Sequence, residues 1–425
     1  MFGLDKYKTN FNNELIAALT TFFTMSYILV VNSYILSQAG MDFNGIYVAT
    51  AVAAAFGSIL MGILANKPLG LASGMGLNAY FAYTAVLTLG VTWEAALAAS
   101  FISSFLIFLI GIFRVDVAEA IPESFKHGLI AGLGLFLVFI GMQNAHFISN
   151  SSATIVTLGT LANVKTLIGV IGLFITSILV ARKTTGALFI GILLTTIIGM
   201  VIGFTPYPNG VVSVPSGFDK VFLKLDFASL TNTAILSVIW TFFIISFFDI
   251  LGTNSALLTK AGHVDKKGRI KDFEKTTASN GIAGMLGSII GVPTVVTYLE
   301  SATGIEAGGR TGLVAILVGL LFILSIFFFP LISAIPIEAA APAMILTGIF
   351  MFLAVGKIHL DDYTESIPAL IAIAIIPFTF SISNGIGAGS ILYVFLKMFT
   401  NRYKEIRPAM YLIAILSLFG FAKIF

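Results

Sequence analysis

The sequence predicts an all-α polytopic membrane protein of fourteen transmembrane segments, arranged as two inverted repeats of seven. Three observations point there. Of 425 residues, 58% are hydrophobic and only 10% charged, with a mean hydropathy of +1.02; a soluble domain would carry about 25% charged residues. Apolar runs of bilayer length follow one another almost without interruption. Basic residues gather in every second loop. The 41 glycines and 12 prolines lie in or between the apolar runs, as they do in helices broken inside a membrane.

The runs fall at 15–37, 46–66, 70–89, 93–113, 125–143, 164–181 and 185–204, then at 229–256, 276–291, 293–305, 312–333, 339–356, 366–382 and 384–400. The polar stretch Met1 to Glu14 precedes an apolar run with no small-residue cleavage site, so the first helix itself is expected to insert. With the N-terminus inside, the inner loops hold Lys6, Lys8, Lys67, Arg114, Lys126, Arg182, Lys183, Lys260, Lys266, Lys267, Arg269, Lys271, Lys275, Arg310, Lys357, Lys397, Arg402, Lys404 and Arg407, and the outer loops only Lys165, Lys220 and Lys224. That asymmetry puts both termini in the cytoplasm of a multi-pass cell-membrane protein. The tail from Pro408, which includes Lys423, reads as an interfacial helix on the inner side, the alternative being a fifteenth span that would put the C-terminus outside.

Several function classes fall away. The net charge of +3 comes from residues flanking the membrane, with no basic and aromatic interleaving, so nucleic acid is not an expected partner. With no cysteine, disulfides and thiol chemistry are excluded. No nucleophile, base and orienter set appears, little length remains for a soluble catalytic domain, and the four histidines, His127, His146, His263 and His359, fall near loops. The chain is therefore expected to be neither an enzyme nor a metalloprotein, and to need no cofactor beyond a coupling ion.

Thr21-Phe22-Phe23 with Ser26-Tyr27 recurs as Thr241-Phe242-Phe243 with Ser246-Phe247. Gly57-Ser58-Ile59 recurs as Gly287-Ser288-Ile289. Ala120-Ile121-Pro122 with Gly134 and Phe136 recurs as Ala334-Ile335-Pro336 with Gly348 and Phe350. The order is kept across both halves, which indicates duplication. An odd number of segments per repeat makes the halves enter the membrane in opposite senses, the construction of secondary transporters whose substrate binds where discontinuous helices meet.

Such breaks stand at matching places. The third segment runs from Lys67-Pro68-Leu69-Gly70 through Ser73-Gly74-Met75-Gly76 to Asn78, and the tenth from Gly291-Val292-Pro293-Thr294 to Glu300-Ser301. Each proline biases its predecessor to extended backbone, and each segment is expected to start extended and turn into a half-helix. A carboxylate at the midplane costs about 2.5–3.5 kcal/mol and normally faces a cavity or a partner. Two are present: Asp249 in the eighth segment and Glu300 at the start of the tenth half-helix. A helix cap or an ion pair is the plain structural alternative for either. Asn78 suits a cap or an interhelical bond as well as a substrate contact. Thr253, one turn after Asp249, shares its face, Ser301 follows Glu300, and Phe81 or Phe247 could stack on a planar ligand. Carboxylates with an amide and half-helix N–H groups offer acceptors and donors together, which suits a flat heterocycle bearing both. A carboxylate taken from water gains by binding a proton, so Asp249 and Glu300 are also the candidates for proton coupling.

Five stretches carry a resemblance: Asn13-Glu14-Leu15 to Asn32, Leu64-Ala65-Asn66 to Ala82-Tyr83-Thr84, Ser246-Phe247-Phe248-Asp249 to Gly252-Thr253, Thr297-Tyr298-Leu299-Glu300-Ser301 to Gly308-Gly309-Arg310-Thr311-Gly312, and Ser383-Asn384-Gly385-Ile386. They resemble the purine-specific adenine, guanine and hypoxanthine branch of the nucleobase:cation symporter 2 (xanthine/uracil permease) family over nearly the whole chain. The resemblance implies a core domain, 1–113 with 225–335, moving against a gate domain, 114–224 with 336–425. It also implies a homodimer through the gate, and substrate contacts at Asn78, Asp249 and Glu300. The function expected is import of purine nucleobases with protons; a uracil or xanthine transporter, or an anion carrier or channel on the same fold, is the alternative. Two departures stand out: Asn280 where the branch usually has an acid, and Val292-Pro293 where it has a small polar pair.

Overall fold

The computed structural model describes residues 2–113, 121–152, 154–231, 233–263 and 270–422. Arg114, Ala120, Lys266, Lys267, Arg269 and Lys423 lie outside them.

Each of the fourteen apolar runs becomes a segment, and side-chain caps set where six of them begin. Segment 1, Phe11–Ser37, starts at Asn10, whose side chain accepts from Asn13 N. Segment 2, Phe43–Ala65, is capped by Asp42. The same device starts segment 6 (Val164–Ala181, Asn163), segment 11 (Gly312–Ser325, Thr311), segment 13 (Tyr363–Thr379, Asp362) and segment 14 (Ile382–Phe399, Ser381). Segments 4, 5, 7, 8, 9 and 12 are the helices Trp93–Phe113, Glu123–Asn144, Ala187–Val201, Thr233–Lys260, Phe273–Ile290 and Ile337–Phe352, and Pro408–Ala422 forms the tail helix.

Segments 3 and 10 are the broken ones. Segment 3 is strand β1 (Leu71–Ser73) and then a helix, Met75–Ala79, that widens into π-helical turns over Tyr80–Thr88. Between segments 5 and 6 a hairpin pairs β2 (Ile148–Ser151) with β3 (Ile155–Leu158), where the sequence suggests only a loop. Segment 10 is β4 (Val295–Thr297) followed by the half-helix Ser301–Glu306. Strands β1 and β4 pair antiparallel, Leu71 with Thr297, Ala72 with Val296 and Ser73 with Val295. In a bilayer the backbone of an extended stretch has no water to bond; each repeat here satisfies the other's. Segment 1 carries a further break, since its helix stops at Met25 and resumes at Ile28.

The repeat motifs meet one another. A Cβ added to Gly134 would lie 2.5 Å from Gly348 O, and one added to Gly348 would lie 2.5 Å from Gly134 O. These glycines match in the two halves of the sequence, so segments 5 and 12 cross at equivalent points with backbones in contact, which only residues without a side chain permit.

Two compact units emerge, Met1–Arg114 with Gly141–Ala343, and Val115–Ile140 with Met344–Phe425. The first holds the paired strands and both half-helices. The second is anchored by Lys397, whose fully buried ammonium lies 2.6 Å from Glu405 and 3.0 Å from Glu365. Arg402 closes this network onto Asp362 at 2.7 Å.

Candidate functional site

In the first unit Asn78, Glu300 and Ser301 lie at the crossing of β1 and β4. Pairing continues past the strand ends: Tyr298 N donates to Gly70 O at 3.0 Å, Gly70 N donates to Ser301 Oγ at 3.0 Å, and Gly74 N donates to Thr294 O at 3.1 Å. Ser301, fully buried, therefore holds the start of segment 3 against the start of the tenth half-helix. The buried Tyr298 phenol donates to Ser73 O at 2.5 Å.

Ser73 Oγ lies 2.7 Å from Asn78 Oδ1 and 2.6 Å from Pro293 O. One hydroxyl proton cannot serve two acceptors, so the contacts are all satisfied when the Asn78 NH2 is turned toward Ser73 and the hydroxyl donates to Pro293 O. The other end of this fully buried amide meets no hydrogen-bond partner among the described residues, a polar group left for something the strands do not supply.

Glu300 is the residue before the half-helix Ser301–Glu306. Its Oε1 accepts from the Tyr27 phenol at 2.6 Å. Asp249 comes from segment 8, and Thr253 Oγ1, one turn on, donates to its Oδ1 at 3.3 Å. The two carboxylates act on each other electrostatically, and both act on Tyr298. No basic side chain pairs with either among the described residues. A helix cap by side chain is also absent at Glu300.

The two phenylalanines separate. Phe81 lies one turn beyond Asn78, fully buried against Phe242, with ring centroids 6.4 Å apart. Phe247 precedes Asp249 by two positions, about 200° around the helix, and is stacked on Phe243 with an interplanar angle of 15°. Its ring and the Asp249 carboxylate thus leave the helix in nearly opposite directions.

Asn280, the departure noted in segment 9, has a definite task. Its Oδ1 accepts from Thr297 N at 2.9 Å and Thr297 Oγ1 at 3.2 Å, and its Nδ2 donates to Thr276 O at 3.0 Å. An ionised acid could make the first two bonds but not the third. Thr294, next to the second departure, is tied by its N–H to Ser100 Oγ at 2.9 Å.

Sequence reasoning passed over Tyr27 and Tyr298. The repeat held a signal for the first: Tyr27 occupies the place of Phe247 in the matched motifs, so the hydroxyl distinguishes the two halves, although segment 1 is interrupted there and segment 8 runs on as one helix.

Residues 12–387 match the Permease family of xanthine/uracil permeases. A putative permease of Methanocaldococcus jannaschii is 45% identical over 98% of this chain and 96% of its own length. The adenine permease AdeP of Escherichia coli is 39% identical over 98% and 94%, and the guanine/hypoxanthine permease PbuG of Bacillus subtilis is 35% identical over 96% of each. Among solved structures, the transmembrane domain of a cyanobacterial bicarbonate transporter, BicA, superimposes with a TM-score of 0.65 over 87% of this chain and 96% of its own, at 13% identity. The murine anion transporter Slc26a9 in its inward-facing state does so with a TM-score of 0.67 over 92% and 69%, at 12% identity. At such identity the likeness is one of fold.

Proposed function

Because this chain belongs to the xanthine/uracil permease family, the nucleobase:cation symporter 2 group, and is thus a multi-pass membrane permease rather than an enzyme, we propose that it imports the purine nucleobases adenine, guanine and hypoxanthine by proton symport. The observation that carries this reading is the pair Asp249 and Glu300, two carboxylates without a basic partner among the described residues, together with the half-open amide of Asn78, which is held to Ser73 at the end of β1. A purine presents N–H donors and ring-nitrogen or carbonyl acceptors in one plane. The carboxylates would take its N–H groups, the Asn78 amide its complementary edge, and Phe81 would lie beneath the site. An anion would be repelled by the same pair. Relatives named as adenine and guanine/hypoxanthine permeases favour purines over pyrimidines.

In this mechanism a proton bound at Asp249 or Glu300 removes the charge that otherwise disfavours movement across the bilayer. Each proton descending a 100 mV potential supplies about 2.3 kcal/mol, enough for roughly fiftyfold accumulation of a neutral base. A core of 1–113 and 225–335 would carry the site past a gate of 114–224 and 336–425, in a homodimer in the cell membrane with both termini cytoplasmic. Thr253 and Ser301 support Asp249 and the strand crossing. Uptake of labelled hypoxanthine, adenine, guanine, xanthine and uracil into proteoliposomes, with and without an inward proton gradient, tests the proposal. Gradient-dependent purine accumulation, abolished in Asp249→Asn and Glu300→Gln with folding preserved, is the expected result. Accumulation of bicarbonate or sulfate but no nucleobase would overturn it.

A further inference from the structure

We infer that Tyr27 is the positioning residue of the substrate site: its phenol fixes the plane of the Glu300 carboxylate and leaves Oε2 to face the ligand. The inference rests on the reading of Glu300 as a substrate contact.

Tyr27 is fully buried, and its hydroxyl donates to Glu300 Oε1 at 2.6 Å across 273 positions of sequence. A glutamate has three side-chain torsions, and one placed just before a half-helix has no helical turn behind it to restrict them. A charge-assisted bond of this length supplies that restriction. Oε2 makes no hydrogen bond to another described residue.

Segment 1 is built to deliver the phenol. Tyr27 lies in the short interruption between the helix that ends at Met25 and the one that begins at Ile28. Below it, the same helix tracks the tenth half-helix turn by turn. Thr303 Oγ1, which donates to Glu300 O at 2.7 Å, lies 3.3 Å from Thr24 Oγ1. Gly304 is packed so closely that an added Cβ would fall on Thr21 Oγ1 and lie 2.6 Å from Ala17 O. At the far end the buried Glu14 carboxylate accepts from Arg310 N at 2.9 Å, Thr311 N at 3.2 Å and Thr311 Oγ1 at 2.5 Å. The half-helix is thus seated on segment 1 along its length, and Tyr27 is the contact that reaches the functional carboxylate. Its repeat mate Phe247 has no hydroxyl, so the second half cannot do the same for the first.

The test is Tyr27→Phe, which removes one oxygen and keeps the ring. In proteoliposomes the KM for hypoxanthine should rise at least about tenfold, the scale of one charge-assisted bond, with maximal rate within about twofold. Tyr34→Phe, which removes a half-buried phenol bonded to Ile335 O away from the site, should leave KM unchanged. In a Glu300→Gln background, equilibrium binding of hypoxanthine should change less than about twofold on adding Tyr27→Phe, since coupled residues are non-additive. A second arm needs no transport: labelling by a hydrophobic carbodiimide, read by mass spectrometry, should quicken at least about threefold at Glu300 in Tyr27→Phe, where Oε1 is uncovered, and not at Asp249. Equal labelling of Glu300 in both proteins, none included, overturns the inference, as does an additive binding loss in the Glu300→Gln background. If wild type takes up no purine, the proposed function fails while the labelling arm still decides the role of Tyr27.

Discussion

Truncating Asn280 should damage the site from a distance, and the size of the effect can be worked out. The Asn280→Ala variant removes three bonds from a side chain that is 1% exposed. They are not equal. Thr276 O keeps its acceptor role within the helix, and the Thr297 hydroxyl can turn toward another acceptor. The Thr297 N–H cannot: it belongs to an extended strand inside the membrane, and an orphaned buried donor costs about 1–3 kcal/mol. With a few tenths each for the other two, the expected loss is about 2 kcal/mol, well above the ~0.6 kcal/mol average for interhelical side-chain bonds in membranes. Thr297→Val removes only the hydroxyl bond and should lose less than about 1 kcal/mol. SDS titration of the purified protein in mixed micelles, followed by tryptophan fluorescence, measures both. Because Thr297 stands three positions before Glu300, Asn280→Ala should also raise the KM for purine uptake. A loss within about 0.5 kcal/mol of zero, or equal losses in the two variants, would refute the reasoning.

Three further outcomes are expected. Gly304→Ala forces a methyl onto Thr21 and Ala17; overpacking of this kind costs about 1–3 kcal/mol, and uptake should fall by more than about tenfold while the protein still inserts, as read by uptake against membrane-fraction yield. His263, in a loop and 2% exposed, has its ring between Lys67 Nζ at 3.1 Å and Arg310 O at 2.9 Å; burial, then the Lys67 charge, push its pKa down to about 4. The unfolded ring titrates near 6.5, so between pH 6.5 and 4 the unfolded chain binds a proton that the folded chain refuses. Stability should therefore be full above pH 6.5 and fall as pH is lowered through that window, by about 2–3 kcal/mol, and His263→Gln should flatten that limb of a melting-temperature profile. Lys397→Met leaves Glu365 and Glu405 facing each other without their buried cation; with both carboxylates partly solvated the loss should be about 2 kcal/mol, below the 3–5 kcal/mol of a fully buried pair, and limited proteolysis in the 400–407 stretch after segment 14, which holds Glu405, should speed up.

Signals that act within a few residues were legible in the sequence. Pro68 and Pro293 announced extended stretches, the glycines after Pro68 and the β-branched residues after Pro293 agreed with them, and scarce charge made Asp249 and Glu300 conspicuous. The pairing of Gly134 with Gly348 was half visible as a repeat. Contacts between distant segments were not, because nothing near Tyr27 says that Glu300 will arrive beside it. Asn280 misled for a related reason. Compared with an expected acid it looked like a lost charge, and only the position of Thr297 shows that a donor and an acceptor are needed there together. Phe247 was named as a ring able to stack on a planar ligand, and two positions along a helix from Asp249 point its side chain nearly the opposite way. The β2–β3 hairpin lacks the strong turn dipeptides that announce such pairs.

The three-residue ladder between β1 and β4 bears on how the protein is made. Ser73 finds its partner in Val295, more than two hundred residues later, so at ribosomal rates of 5–20 residues per second segment 3 waits roughly 10–45 s for it. Throughout that interval its backbone polar groups must remain with water, the translocon or a chaperone, because lipid cannot accept them. The amino-terminal half is thus an obligate late folder, and a chain cut between the repeats should give two fragments that are each degraded alone and rescued when made together.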